Sequence, residues 1–383
     1  MPTENRIVFG FLTLVILTCS LLSAGCSSES GTTAQVVHSV GSVTIDTGNV
    51  VTVPVHWQGP DSITQLSRID SSCNGYANSV YVAGSVTHIA GTTYVCSEGG
   101  TVRTPVAAYW KNGVRTDLER PEAHARSASE AQQVVVANGS VYVAGYVTGD
   151  NGQLPVYWKD GKAVYLTDLP YEGTRARASN ILVEGNDVYV SGAVLFDSAY
   201  PVYWKNGKAF ELPIPSGYQG TAVPLPISVS NGDVYVFGHL HRLRTRTIAD
   251  TSEIPVYWKN GELNRILPSE TDRGYSYGGA VYNGVPYSAG ATVAGTLYTP
   301  AIWADKLRRN LPMIDEELYG MAHDVHVDGS GIYVSGWTYT PENPADPSSV
   351  LRAVPCCWLN GVRMDLPTIN NKPAYARGLF VAR

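Results

Sequence analysis

Val202-Tyr203-Trp204-Lys205-Asn206-Gly207 is the stretch whose reading decides the fold, because it recurs. Val156-Tyr157-Trp158-Lys159-Asp160-Gly161 and Val256-Tyr257-Trp258-Lys259-Asn260-Gly261 repeat it almost letter for letter, and Ala108-Tyr109-Trp110-Lys111-Asn112-Gly113 and Cys356-Cys357-Trp358-Leu359-Asn360-Gly361 keep most of it. Val55-His56-Trp57 and Ala301-Ile302-Trp303 are looser copies. The seven tryptophans stand 53, 48, 46, 54, 45 and 55 residues apart. A period of this size marks a chain of units, each burying its apolar face against its neighbours.

Working outward, a leucine follows each tryptophan by eight or nine residues: Leu66, Leu118, Leu166, Leu212, Leu267, Leu311 and Leu366. Ahead of each tryptophan lies a segment like Val-Tyr-Val-Ala-Gly, at Val80–Gly84, Val141–Gly145, Val188–Gly192, Val234–Gly238, Pro286–Gly290 and Ile332–Gly336, with a degenerate copy at Val37–Gly41. Asn138-Gly139, Asn231-Gly232, Asn283-Gly284 and Asp328-Gly329 lie just before these segments, and such pairs accept the positive φ of a tight hairpin. Each unit therefore reads as four short antiparallel strands in about 50 residues, the size of one propeller blade. The expected fold is all-β, a single seven-bladed β-propeller. The first unit lacks its leading strand, and Ala376-Arg377-Gly378-Leu379-Phe380-Val381 at the chain end matches it. A C-terminal strand joining the N-terminal blade would remove the open sheet edges. The tryptophans and leucines are expected between blades.

The chain resembles bacterial propeller-repeat lipoproteins of the Tyr-Trp-Lys-Asn-Gly type, over essentially its whole mature length. Gln58-Gly59 and Ala304-Asp305 replace Lys-Asn-Gly in the first and sixth units. The resemblance implies fold and location and carries no activity with it.

The first residues agree on location. Met1–Arg6 is a short polar start and Ile7–Leu22 a continuous apolar run, too short for an ordinary membrane span. Ser23-Ala24-Gly25-Cys26 then resembles a lipobox, although Ser23 stands where leucine is usual. Residues 1–25 are read as a signal peptide, Cys26 as the lipidation site, 26–35 as a flexible tether and 36–383 as the propeller. Export places the protein on the cell envelope, anchored to the membrane by lipid. Of the remaining cysteines, Cys73, Cys96, Cys356 and Cys357 allow three pairings. Adjacent Cys356 and Cys357 would point to opposite faces of a strand.

Charged residues are 16% of the chain, against about 25% in an average soluble protein, and the net charge is −6 with no basic stripe. That excludes nucleic acid as a partner. A monomer is expected.

Function is less legible. The longest connections between second and third strands are Ser85–Pro105, His239–Pro255 and Trp337–Pro355. In an extended segment His239 and His241 share a face and could offer two imidazoles to a divalent metal, the one cofactor candidate, while Arg242, Arg244 and Arg246 could clamp an anion on the other. Ser85, Tyr146, Ala193, Ala291 and Trp337 hold the position of His239 elsewhere, which favours simple packing. Tyr218, Tyr275, Tyr319 and Tyr375 follow a unit-ending leucine by six, eight, eight and nine residues and are expected to ring the channel mouth, with Arg377 beside them. Rings with cations suit stacking on sugars and pairing with carboxylated or sulfated glycans. Gly274-Tyr275-Ser276-Tyr277-Gly278 matches a nucleophile elbow by letters only, since no helix follows, and His323 and His326 are out of phase for one strand face. The reading is a cell-envelope binding or scaffolding protein for a glycan or protein ligand. The alternative is a polysaccharide lyase acting on uronate-containing glycan at the same face.

Overall fold

The computed structural model describes residues 35–46, 51–97, 103–120, 127–149, 152–170, 175–221, 225–243, 253–267, 273–343, 345–346 and 349–382. These residues contain strands and turns and no helix. Strands β1 (Val36–Asp46), β2 (Val51–Gln58) and β3 (Ser62–Gln65) open the chain, followed by β4 (Gly75–Ala83), β5 (Val86–Cys96), β6 (Arg103–Lys111) and β7 (Val114–Asp117). Next come β8 (Ser129–Ala137), β9 (Ser140–Gly149), β10 (Gly152–Lys159) and β11 (Lys162–Tyr165), then β12 (Arg175–Glu184), β13 (Asp187–Leu195), β14 (Ala199–Lys205) and β15 (Lys208–Glu211). A short β16 (Tyr218–Gly220) precedes β17 (Ile227–Ser230), β18 (Asp233–Arg242), β19 (Glu253–Lys259) and β20 (Glu262–Arg265). The last units are β21 (Gly274–Tyr282), β22 (Val285–Ala294), β23 (Leu297–Ala304) and β24 (Leu307–Asn310), and β25 (Gly320–Asp328), β26 (Gly331–Pro341), β27 (Leu351–Leu359) and β28 (Val362–Asp365), before the final β29 (Ala374–Ala382).

Five antiparallel sheets have four strands each, ordered β29-β1-β2-β3, β4-β5-β6-β7, β8-β9-β10-β11, β21-β22-β23-β24 and β25-β26-β27-β28. The other two groups, β12–β15 and β17–β20, are joined into a nine-stranded sheet by β16, which pairs with β14 and β18. The arrangement is that of a β-propeller. The innermost strands touch in the order β29, β4, β8, β12, β17, β21, β25, and β25 touches β29.

The repeated letters have specific jobs. In the hairpin between β14 and β15, Asn206 and Gly207 have φ of 52° and 83°, as a two-residue type I′ turn requires. Asn206 Oδ1 also accepts the N–H of Val188 at 2.9 Å, so the turn caps the adjacent strand β13 as well. Asn112, Asp160, Asn260 and Asn360 make the same bond to Thr87, Val141, Val234 and Ile332, which is why Asn or Asp stands there.

All seven repeat tryptophans are fully buried, and each of the seven leucines is buried too. The indole N–H reaches into the preceding group, to a backbone carbonyl just after its leucine. Trp110 donates to Ser67, Trp158 to Glu119, Trp204 to Asp168, Trp258 to Pro213 and Trp358 to Pro312, at 2.7–2.9 Å. Trp57 of the first group donates to Pro367 in the last, at 2.8 Å. Each of these six rings thus buries a large apolar surface and satisfies its one polar atom in a single contact between groups, whereas Trp303 is equally buried but its Nε1 has no such bond among the described residues.

The structure corrects one alignment. Val80–Ala83 ends the innermost strand β4, and Gly84 lies in the following turn with φ 58°. The true copy of the Gly-ending segment runs through Ile89-Ala90-Gly91 on β5. The equivalent of His239 in this group is therefore Thr92, not Ser85. The cysteine pairing, open in the sequence, is Cys73–Cys96, while Cys356 and Cys357 are buried free thiols.

Candidate functional site

The site begins with a backbone irregularity. In β4, β8, β12, β21, β25 and β29 the pairing register slips by one residue, and the extra residues are Asn78, Gln132, Ser179, Tyr277, His323 and Arg377. A β-bulge of this kind bends its strand and re-aims a side chain. Each bulge drives the carbonyl of the residue two positions earlier against the strand alongside. A Cβ on Gly91 would collide with the carbonyl oxygen of Tyr76, and one on Gly290 with that of Tyr275. Gly41, Gly91, Gly145, Gly192, Gly290 and Gly336 are thus demanded by the bulge opposite, while Gly238, opposite the unbulged β17, makes room for the Leu225 side chain instead.

Because the bulges are equivalent, their residues meet. Asn78, Gln132, Ser179, Tyr277, His323 and Arg377, together with Pro226 before β17, line one cavity of about 280 Å³, with Ser79, Gln133, Asn180 and Asp324. The residue after four of these bulges ties neighbouring groups together. Ser79 Oγ accepts the N–H of Val134, Gln133 Oε1 that of Ile181, Asn180 Oδ1 that of Ile227 and Asp324 Oδ2 that of Leu379, at 2.6–3.2 Å.

The frame around the cavity has two halves. From β4 to β12 it carries amides and hydroxyls, with Glu130 accepting from Gln132 Nε2 at 3.1 Å and Arg177 over the ring of Tyr146. From β18 to β29 it is aromatic. His239 packs edge-on against Tyr275 and Tyr277, which stack at 5.8 Å, and Tyr277 meets His323 at 5.2 Å. Tyr275 continues through Tyr298, Tyr319 and Tyr339 to Trp337, which packs on Tyr375 at 5.4 Å.

Water exclusion sets the protonation states. His323 is pushed down to about 3 by burial and by Arg377, so its ring is neutral. Its Nε2 accepts the indole N–H of Trp337 at 3.0 Å, which leaves the proton on Nδ1. Asp324 is pushed up to about 7 by burial, against the pull of the N–H groups of Leu379 and Val325. Burial holds the Arg377 guanidinium below its ordinary range, and Tyr277 is raised to about 12.

The residues singled out in the sequence are spread over this frame. Tyr275 and Tyr375 lie at equivalent positions on β21 and β29, two residues before the bulge, and Arg377 is itself a bulge residue. Tyr319 stands just before β25 and joins the same aromatic arc. Tyr218 is elsewhere. It sits on the extra strand β16, where its hydroxyl takes hydrogen bonds from Arg242 at 3.2 Å and Arg265 at 2.9 Å. His239 is buried, with Nδ1 bonded to the carbonyl of Ser276, and it is lowered to about 4 by burial. His241 pairs with Glu253 at 2.8 Å. Among the described residues, the one grouping of three metal-ligand types is Asp70, Cys73 and Cys96, and its cysteines form the disulfide. Arg244, Arg246 and Cys26 lie outside the described residues.

Sequence reading passed over Tyr277, His323, Asp324, Asn78 and Gln132. A signal was available: Ala77-Asn78-Ser79, Ala131-Gln132-Gln133, Ala178-Ser179-Asn180, Ala322-His323-Asp324 and Ala376-Arg377-Gly378 share a small residue before the bulge. The bulge also explains His323. Out of phase with His326 on a regular strand, it is turned into the cavity by the inserted residue, while His326 lies near Asp328.

No protein-family model matches the chain, and no curated protein matches it. Among solved structures it is similar to the β-propeller domain of the Trilobed protease from Pyrococcus furiosus, with a TM-score of 0.47 and 10% identity over 88% of this chain and 95% of that one. It is similar to a polysaccharide lyase, PL25 ulvan lyase, with a TM-score of 0.48 and 8% identity over 90% and 91% of the two chains. Trypanosoma rangeli sialidase in complex with sialic acid gives 0.43 and 8%, over 88% of this chain and 56% of that one. At this level they give no residue correspondences.

Proposed function

We propose that this chain is a closed seven-bladed propeller, exported and held at the cell envelope by lipid on Cys26, that binds a glycan at the aromatic half of its channel. Seven four-strand groups, the shared β29–β1 sheet and the Trp57–Pro367 bond support the closed ring. The glycan reading rests on one observation: the arc of rings from His239 to Tyr375 beside a polar cavity. Aromatic faces stack on the apolar faces of sugars while neighbouring amides and hydroxyls satisfy the hydroxyl groups. The recess is too small for a folded partner, which could touch only its rim.

Trp337 makes the test direct. The chain has eight tryptophans, seven of them the fully buried repeat residues, and Trp337 is half-exposed in the arc. A glycan entering the site should change the intrinsic fluorescence, and Trp337→Phe should abolish that change. A screen of residues 27–383 against a glycan array supplies the ligand. Failure to bind any glycan would overturn the reading and point to a protein partner. For the anchor, Cys26→Ala should move the protein from the membrane to the soluble fraction.

A further inference from the structure

Arg377 is a buried cation without a counter-ion. Its guanidinium lies 5.3 Å from the ring centre of Tyr76, and its one hydrogen bond to a described side chain goes to the neutral Asn78 Oδ1, at 3.3 Å. No carboxylate among the described residues forms a salt bridge with it; Glu130 acts on it only at longer range and bonds Gln132 instead. Removing a charge from water costs several kcal/mol unless a partner compensates. The partner is missing from the protein, and the guanidinium lines the cavity.

Two more donors stand at the same bulge position on the two preceding groups, β25 and β21. Neutral His323 keeps a proton on Nδ1, since Nε2 accepts from Trp337, and Nδ1 has no acceptor among the described residues. The Tyr277 hydroxyl likewise has none. Resting on the glycan reading above, we propose that Arg377, His323 and Tyr277 form a subsite for the carboxylate of an acidic sugar. Four donors match the demand: two N–H groups of the planar guanidinium fork, one imidazole N–H and one phenol O–H, against two oxygens with about four lone-pair sites. A sulfate ester brings a third terminal oxygen out of that plane and would lean toward Asp324, the carboxylate of the same cavity. The site therefore selects a uronate over a sulfated neutral sugar.

The test uses residues 27–383 and an array of oligosaccharides containing glucuronate, galacturonate, mannuronate or guluronate, each beside its carboxyl-reduced counterpart, with sulfated neutral oligosaccharides and free uronates alongside. Carboxyl reduction should weaken binding about tenfold or more, the scale of a charge-assisted hydrogen bond. Arg377→Met should bind acid and reduced forms within about twofold of each other, and Arg377→Lys, which keeps a charge and loses the fork, should fall between. The ligand-side comparison needs no variant, so a misfolded Arg377→Met does not weaken the test. Equal binding of acid and reduced forms, or preference for the sulfated sugars, overturns the carboxylate subsite and leaves the glycan reading standing. No binding to any sugar overturns both. Binding of free uronates as tight as the oligomers would assign the subsite to a free acid.

Discussion

Tyr277 and Gln132 occupy the same place in the repeat. Each is the extra residue of a bulge in an innermost strand, and both line the same cavity. Around Tyr277 the neighbouring side chains are rings, while around Gln132 they are amides, Glu130 and Arg177. The backbone is common to both halves, and the chemistry is not. The repeat therefore supplies a frame in which only a few positions are free to vary, and function must be sought at those positions.

The largest effect should come from the frame itself. Gly91→Ala in the amide half and Gly290→Ala in the aromatic half both push a methyl group into a carbonyl, and each should cost about 4 kcal/mol in chemical denaturation. A large difference between them would mean that the two halves do not share one frame. Next comes the disulfide, found only in the amide half among the described residues. Cys73 and Cys96 are 23 residues apart, and replacing both with Ala should cost about 3 kcal/mol, whereas Cys356→Ala should be indifferent to reductant.

Asp324 and Gln133 hold the same position after their bulges and make the same bond to the next group. Only Asp324 titrates. Its folded pKa of about 7 lies above its ordinary 3.8, so between those values the folded state holds a proton that the unfolded state releases. Stability should therefore fall as pH rises from about 4 to 7 and level off above, by about 2 kcal/mol after allowance for its partial exposure. His323 stays neutral and Arg377 charged across this window, and Leu379 contributes only its backbone N–H. Asp324→Asn should flatten the profile in urea titrations at stepped pH, and an unchanged slope would contradict the assignment. The smallest effect sharpens the functional side. Trp337→Ala should weaken glycan binding by about 1 kcal/mol, read by calorimetry, whereas Tyr146→Ala at the equivalent position should change it by less than twofold.

How much of this could be read from the letters follows the same division. Trp204, Asn206, Gly207 and Leu212 act within one unit or between adjacent ones, so the period exposes them. The matching of β29 to the first unit was also legible, because Ala376–Val381 resembles the strand that the first unit lacks. The cavity was not. Strand alternation assigns faces by counting in twos, and one inserted residue reverses the count, which hid His323 behind its spacing to His326. Tyr277 was hidden differently, inside a Gly-x-Ser-x-Gly string whose serine is in fact buried against Ser288. Tyr218 shows the converse error. It stands six residues after Leu212 where the others stand eight or nine after their leucines, and it belongs to β16, an insertion across which spacing carries no meaning.

The joint between β29 and β1 has a consequence for how the molecule comes into being. His38 pairs with Phe380, and Ser39 Oγ bonds the carbonyl of Gly378, 339 positions along the chain. Strand β1 is synthesised long before β29 and must wait for it. Until then its edge is bare, and closing so long a loop is slow. The protein is therefore most vulnerable to proteolysis and aggregation in the interval before β29 arrives, and deletion of Ala374–Ala382 would leave that interval without an end.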